Sequence, residues 1–466
     1  MVGSNNLNYY LSLIMIKITS KKINTALLKT LFTTENINLY MNYLAVVYAL
    51  FLPISWKYRA TIFSIILVLF IIRRNYLFYL KESFANPIVK AFLAYIFMHF
   101  LWLLGTENFQ HATKMIKLSE YAIIPLIFLT FLTKEFANKV LIAFITSVMF
   151  SELLSYMIRF ELIPQKLSIF NHKLYAAVAI NDPSPFLLHM HYAVTLSIVC
   201  AILLFKLLST QESLKVKIIS IVFLLTATFN LTLVGGRSGY LSYIILLVTV
   251  IFLTYKKNIL KPILLLSFFL TTIFFIAYEL SPMFKNRIDY SVQTVNELQN
   301  NSNNYSSSFG TRLGLWKYAL QASQDNILFG SGTGDQLDIT HQAMPSSDDP
   351  IYQHLKEMHH LHSQYIQIYT EFGLIGLLIF LNIFYQILRY KKTDTTRKNI
   401  LILITLAVMI ALLTETFSSI YYLPLLSVLV SALIATKTEP KSTNSAIKDI
   451  LIYIMITLFV FIITLI

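Results

Sequence analysis

Arg237, Arg312 and His362 are the residues in this chain whose types and settings could do chemistry together. A guanidinium group offers a planar fork that binds phosphate through two parallel hydrogen bonds. An imidazole has an ordinary pKa of about 6.5, which suits it to take a proton from an attacking hydroxyl. Two arginines could hold a lipid pyrophosphate and stabilise its negative charge as it leaves. The histidine could deprotonate an acceptor. Such a site needs no metal and no cofactor, because the arginines neutralise the leaving group.

Each residue has a distinctive local setting. Arg237 sits in Gly235-Gly236-Arg237-Ser238-Gly239, a tight turn between two apolar runs. It could be an arginine snorkelling at a helix end, but two preceding glycines would let a ligand approach the backbone. Arg312 falls in the first turn of a helix expected over 311–323, where Leu313, Trp316 and Leu320 recur at helical spacing after a Ser-rich cap. A cation there is unfavourable by roughly 0.3–1 kcal/mol, which a bound anion would offset; a solvated arginine on a polar face is the alternative. His362 opens a long apolar run, and on a helix residues 362, 366, 369 and 373 share one face. It could also be an interfacial histidine without a chemical role.

Other residues are candidates for lining a polar cavity: His189 and His191 near the end of one run, Gln364 beside His362, and Glu415 near the end of another. Gln364, Gln367 and Glu371 would form one polar stripe. Ionisable groups within spans, here Glu152, Glu371 and Glu415, are functional candidates by default. Gly330, Gly332 and Gly334 follow no strand and precede no Gly-Lys-Ser/Thr, so they read as a turn ending the loop helix rather than a nucleotide loop. The spacing of His341, His354, His359, His360 and His362 fits no metal pattern.

The elements that position these residues are membrane helices. The 466 residues are 56% hydrophobic and only 13% charged, against about 25% charged in a soluble domain. Membrane spans are expected near 39–55, 60–73, 88–105, 118–133, 139–160, 186–206, 216–234, 238–255, 261–280, 363–388, 398–416, 420–436 and 448–466, the second of them short. The fold class is all-α, a polytopic membrane helix bundle of 12–13 spans. The net charge of +14 does not signal nucleic acid, because the basic residues cluster at the ends of apolar runs. Cys200 is the single cysteine, excludes an intramolecular disulfide and reads as a packing residue.

Basic residues set the orientation. With the N-terminus inside, 24 of the 37 Lys and Arg fall in inside segments and seven in short outside ones, as the positive-inside rule requires. The long loop, 281–361, is then outside and mildly acidic. It is too long to be a mere connector. The organisation expected is an N-terminal cytoplasmic or interfacial segment 1–38, helices 1–9 over 39–280, the loop 281–361 and C-terminal spans over 362–466. Either Met1 or Met41 could be the start, and Leu7–Ile18 is a poor signal peptide. The Asn/Ser tract 300–308 reads as mobile.

Over roughly 186–436 the chain resembles the O-antigen ligase family. Three pieces carry the resemblance: Gly236-Arg237-Ser238-Gly239; Arg312 to Trp316 followed by Gly330-Ser331-Gly332; and His362-Ser363-Gln364-Tyr365-Ile366 with Gly373-Leu374-Ile375-Gly376. Ser363 stands where that family usually has asparagine, which bears on the amide and not on His362. The resemblance implies a bacterial inner-membrane glycosyltransferase working on the periplasmic side. It would take a glycan from an undecaprenyl-pyrophosphate donor and attach it to a lipid A-core hydroxyl, with inversion. Arg237 and Arg312 would bind the pyrophosphate and His362 would be the base. A polymerase using the same donor fits the same motifs. A transporter of lipid-linked sugars fits less well, since transporters place charges near the midplane and often show inverted repeats.

Overall fold

The computed structural model describes residues 32–169, 172–209, 212–255, 258–300, 305, 307–346, 349–417 and 420–438. The expected span 448–466, the apolar stretch 7–18 and most of the tract 300–308 lie outside these. The protein is a helical bundle with one antiparallel hairpin, Lys166–Ile169 against His172–Ala176.

Seven helices among the described residues are long and apolar enough to cross a membrane: Pro87–Gly105, Lys134–Arg159, His189–Ser209, Leu214–Leu233, Arg237–Tyr255, Leu260–Leu280 and Gln364–Arg389. The pair Trp56–Ile72 and Tyr76–Phe84, bent by 116°, makes an eighth when counted as one broken span. The bend falls where Arg74 and Asn75 take positive φ. Arg73, buried at the elbow, donates to Asn38 Oδ1 at 2.8 Å and to the Thr130 carbonyl at 3.2 Å.

This count is below the 12–13 expected, for local reasons. Thr34–Leu50 and Thr395–Ala411 are 17 residues each and Tyr422–Ile434 is 13. The run 118–133 is not one helix. Helix Phe109–Ser119 passes through a 3-10 turn, Glu120–Ile123, into the short Ile124–Phe128. Pro125 lacks the N–H that a continuous helix would use and disfavours helical geometry before it. The central helix is His189–Ser209, 72% buried, whereas Leu260–Leu280 is 6% buried and stands at the periphery.

Over its described residues, segment 281–361 is folded. It forms helices Pro282–Asn300, Ser308–Ala322, Gln336–Gln342 and Pro350–Lys356. A separate small core of Tyr305, Leu315, Tyr318, Ala319, Met344, Leu355 and Leu361 holds it together.

Its attachment to the bundle is a backbone splice. Gly373 interrupts helix Gln364–Arg389 with φ 63° and ψ −162°, a region essentially confined to glycine. The peptide groups freed there are taken up by the loop. Ser331 N–H donates to the Thr370 carbonyl (3.1 Å), Gly332 N–H to that of Glu371 (3.0 Å), and Leu374 N–H to that of Ile327 (2.9 Å). Gly334 N–H donates to Glu371 Oε1 at 2.6 Å. The loop glycines thus lie four or more residues past the short turn Ser323–Asn326, and they dock the loop rather than end its helix.

Candidate functional site

The site forms where segment 281–361 meets the helix ends of the bundle. Its first wall is the turn before Arg237. Asp182 Oδ1 accepts the Gly235 N–H at 2.9 Å, and its Oδ2 lies 3.3 Å from His189 Nδ1. Arg237 then begins its helix, and its Nη1 donates to Ser291 Oγ at 3.3 Å.

The glycines around Arg237 serve packing, contrary to the expectation of ligand approach. A Cβ on Gly236 would meet Ala193 Cβ and the His189 carbonyl at 2.7 Å, and one on Gly239 would collide with Ala193. Ser197 Oγ seals this contact by donating to the Gly239 carbonyl at 3.0 Å. The space over Gly235 is filled by the chain's own Arg287, whose Nη2 would be 2.7 Å from a Cβ there.

The second wall is helix Ser308–Ala322, capped by Ser307 Oγ on Gly310 N–H. Arg312 lies in its second turn rather than its first, beyond most of the dipole's reach. Its Nη1 donates to Ser308 Oγ at 3.2 Å, and its Nε is buried without a hydrogen-bond partner among the described residues. One turn on, Trp316 Nε1 donates to the Leu361 carbonyl at 2.8 Å. Residues four apart share a helix face, so this bond brings Arg312 beside the residue after Leu361.

That residue is His362. It lies outside the helix it was expected to open, in the left-handed region at φ 51°. Helix geometry begins at Gln364, with Ser363 as N-cap, and Gly373 breaks the helix. The shared face of 362, 366, 369 and 373 therefore does not form. A non-glycine residue in this conformation costs on the order of 1–3 kcal/mol and persists only if its surroundings enforce it. Several contacts do so. His362 N–H donates to His360 Nδ1 at 3.2 Å, with ring centroids 4.0 Å apart. Gln364 N–H donates to the Glu415 carbonyl at 2.9 Å, and Gln364 Oε1 accepts the Phe417 N–H at 2.6 Å. Gln364 is thus a buried clamp for the 412–417 connection.

The third wall is that connection. Helix Thr395–Ala411 ends before Glu415, which is buried and 3.6 Å from His191 Nε2. His191 stacks on Tyr421, whose hydroxyl bonds Thr195 Oγ1 at 2.6 Å. Arg59 is buried and donates to the Ile420 carbonyl at 3.0 Å, fixing another left-handed residue.

The charges communicate. Arg237 feels Arg287 most strongly and Arg312 next. Glu415 acts on His189, His360, His362 and Arg312. Burial first, then the His360 and Arg312 charges, push His362 down to about 4, with Glu415 opposing. Burial also lowers His360 and Arg312 below their ordinary values. His362 is therefore neutral at pH 7, with Nδ1 buried and free of any hydrogen-bond partner among the described residues.

Arg237, Arg312, His362, His189, His191 and Glu415 are brought to one region, with Gln364 behind it. Sequence reasoning missed Arg287 and Asp182, and it marked Trp316 only by its spacing and motif, not by its bond to the residue before His362. Arg287 and Asp182 carry no local signal beyond charge.

Residues 221–381 match the family model described as O-Antigen ligase. The matched segment holds Arg237, Arg287, Arg312, Trp316 and His362; Asp182, His189, His191 and Glu415 lie outside it. The match supports a function of ligase or polymerase type, in a multi-pass membrane protein. A Haemophilus influenzae (strain ATCC 51907 / DSM 11121 / KW20 / Rd) protein described as an uncharacterized protein is 26% identical over 201 residues, covering 41% of this chain and 49% of that relative. The chain spans about half the length of this curated relative.

Proposed function

We propose that the protein is an O-antigen ligase, a glycosyltransferase of the bacterial inner membrane with its site on the periplasmic side. It moves a glycan from an undecaprenyl-pyrophosphate carrier to a hydroxyl of lipid A-core. The carrying observation is that Arg312 and His362 meet through the Trp316–Leu361 bond, with Arg237 in electrostatic reach of Arg312.

Arg237 and Arg312 bind the diphosphate. His362 takes the proton of the acceptor hydroxyl as its oxygen attacks the anomeric carbon. The bond from that carbon to the phosphate oxygen breaks, and the lipid diphosphate leaves with the electron pair. Attack from the face opposite the leaving group inverts the anomeric centre. In the empty site His362 is a weak base, held down by burial, His360 and Arg312. A bound diphosphate offsets the Arg312 charge and adds negative charge of its own, which favours the imidazolium. Donor binding thereby strengthens the base when it is needed. Glu415 stabilises the protonated form, and His191 holds the Glu415 carboxylate in place.

A strain lacking the gene decides between ligase and polymerase. The ligase reading predicts loss of ladder-bearing lipopolysaccharide while long lipid-linked chains accumulate. Lipid-linked chains halted at one repeat unit would overturn it in favour of polymerase.

A further inference from the structure

We propose that Arg287 is a specificity-determining ligand for the donor's second phosphate, by which the site selects a polyprenyl diphosphate over a polyprenyl monophosphate. The inference rests on the transferase reading above and extends it to a residue outside the three that motif reading supplies.

Arg287 lies on helix Pro282–Asn300, which follows directly on the peripheral helix Leu260–Leu280. One turn further along, Ser291 Oγ accepts from Arg237 Nη1 at 3.3 Å and donates to the Arg287 carbonyl at 2.6 Å. One stretch of helix thus ties Arg237 in place and presents a second guanidinium beside it. That guanidinium lies over the bare backbone of Gly235, close enough that a Cβ there would come within 2.9 Å of its Nε. Its charge is the strongest that Arg237 feels and also acts on His189.

Counter-charges are missing. Among the described residues, no carboxylate comes within 4.0 Å of Arg237, Arg287 or Arg312. Asp182 also reaches the space over Gly235, but its oxygens already serve the Gly235 N–H and face His189. Glu415 is engaged with His191. The Arg287 Nε is buried with no hydrogen-bond partner among the described residues. Guanidinium groups gathered without acids need an anion to complete them, and a guanidinium fork binds phosphate oxygens through two parallel hydrogen bonds. A sugar carried on a monophosphate brings a single charge. A diphosphate carries a second, and Arg287, presented beside Arg237 with its Nε unpartnered among the described residues, adds a further fork to meet it.

The test measures binding of undecaprenyl diphosphate, undecaprenyl monophosphate and inorganic pyrophosphate to the full chain in nanodiscs. Wild type is expected to bind the lipid diphosphate about tenfold or more tighter than the monophosphate, the scale of a charge-assisted contact. Arg287→Gln should lower that ratio several-fold, through weaker diphosphate binding rather than altered monophosphate binding. If Arg287→Gln fails to accumulate, Arg287→Lys supplies the same comparison, because an ammonium keeps the charge but loses the fork; its ratio should also fall. A wild-type ratio in either folded variant overturns this inference and leaves the transferase reading standing. Wild type that binds neither lipid overturns both. Inorganic pyrophosphate binding as tightly as the lipid diphosphate assigns the pocket to a free anion and overturns the lipid-carrier proposal.

Discussion

The indole nitrogen of Trp316 donates to the Leu361 carbonyl at 2.8 Å. That bond joins the helix that carries Arg312 to the residue before His362, and it holds the proposed anion-binding group beside the proposed base. Trp316→Phe keeps the ring and removes the donor. A part-buried carbonyl left without a partner costs about 1–3 kcal/mol. The variant should melt earlier, and its turnover should fall more than its affinity for donor, because His362 loosens while Arg237 and Arg312 remain. Thermal melting with separate kcat and KM values checks this. A variant with wild-type turnover contradicts the anchoring role.

The base should show in a pH profile. Free protein has His362 depressed to about 4 by burial, His360 and Arg312, so it is deprotonated throughout the neutral range. The acid limb of kcat/KM should therefore fall near 4. In the donor complex the added negative charge raises the histidine toward its ordinary value, so the acid limb of kcat should lie higher. Glu415→Gln removes the charge that opposes the depression and should move the kcat limb downward. A kcat limb at the same pH as that of kcat/KM would rule out activation by the donor.

The sequence made some of this legible and not the rest. Apolar runs marked most helices because a bilayer-crossing helix must be continuously apolar. Arg237, Arg312 and His362 stood out because their neighbours are glycine, tryptophan and the start of an apolar run. Arg287 did not, since it is one charge among several in a polar segment, and only tertiary folding sets it over Gly235. The left-handed turn at His362 was invisible because histidine carries no glycine-like signal; long-range contacts from Gln364 and Trp316 impose it. Gly373 was read as a small residue on a continuous helix face, when its purpose is to let the segment 327–332 splice into the broken helix.

That splice gives a stability prediction. Gly373→Ala places a Cβ against the Leu328 and Phe329 backbone, at a φ and ψ reserved for glycine. The cost is on the order of 1–3 kcal/mol for backbone strain with overpacking added. Segment 281–361 should lose its seat, so limited proteolysis should cut it faster while the membrane bundle survives. Wild-type resistance would contradict the splice as the loop's anchor.

Close helix packing at the Arg237 motif gives another. Gly239→Ala brings a methyl into Ala193 on the central helix and should destabilise by about 1–3 kcal/mol. Replacing Ala193 with glycine in the same chain should recover part of the loss, because it opens the opposing surface. Thermal melting of the single and double variants checks this; absence of recovery would mean the clash lies elsewhere.

In the proposed transferase, arginines hold a lipid diphosphate and a histidine moves a proton. The most direct measurement pairs donor binding with glycan transfer for purified Arg312→Ala and His362→Ala. Arg312→Ala should lose both binding and transfer. His362→Ala should bind undecaprenyl diphosphate near wild-type affinity and transfer about 10²–10⁴-fold more slowly, the range for loss of a general base. Wild-type transfer by His362→Ala, or undiminished donor binding by Arg312→Ala, would contradict the account.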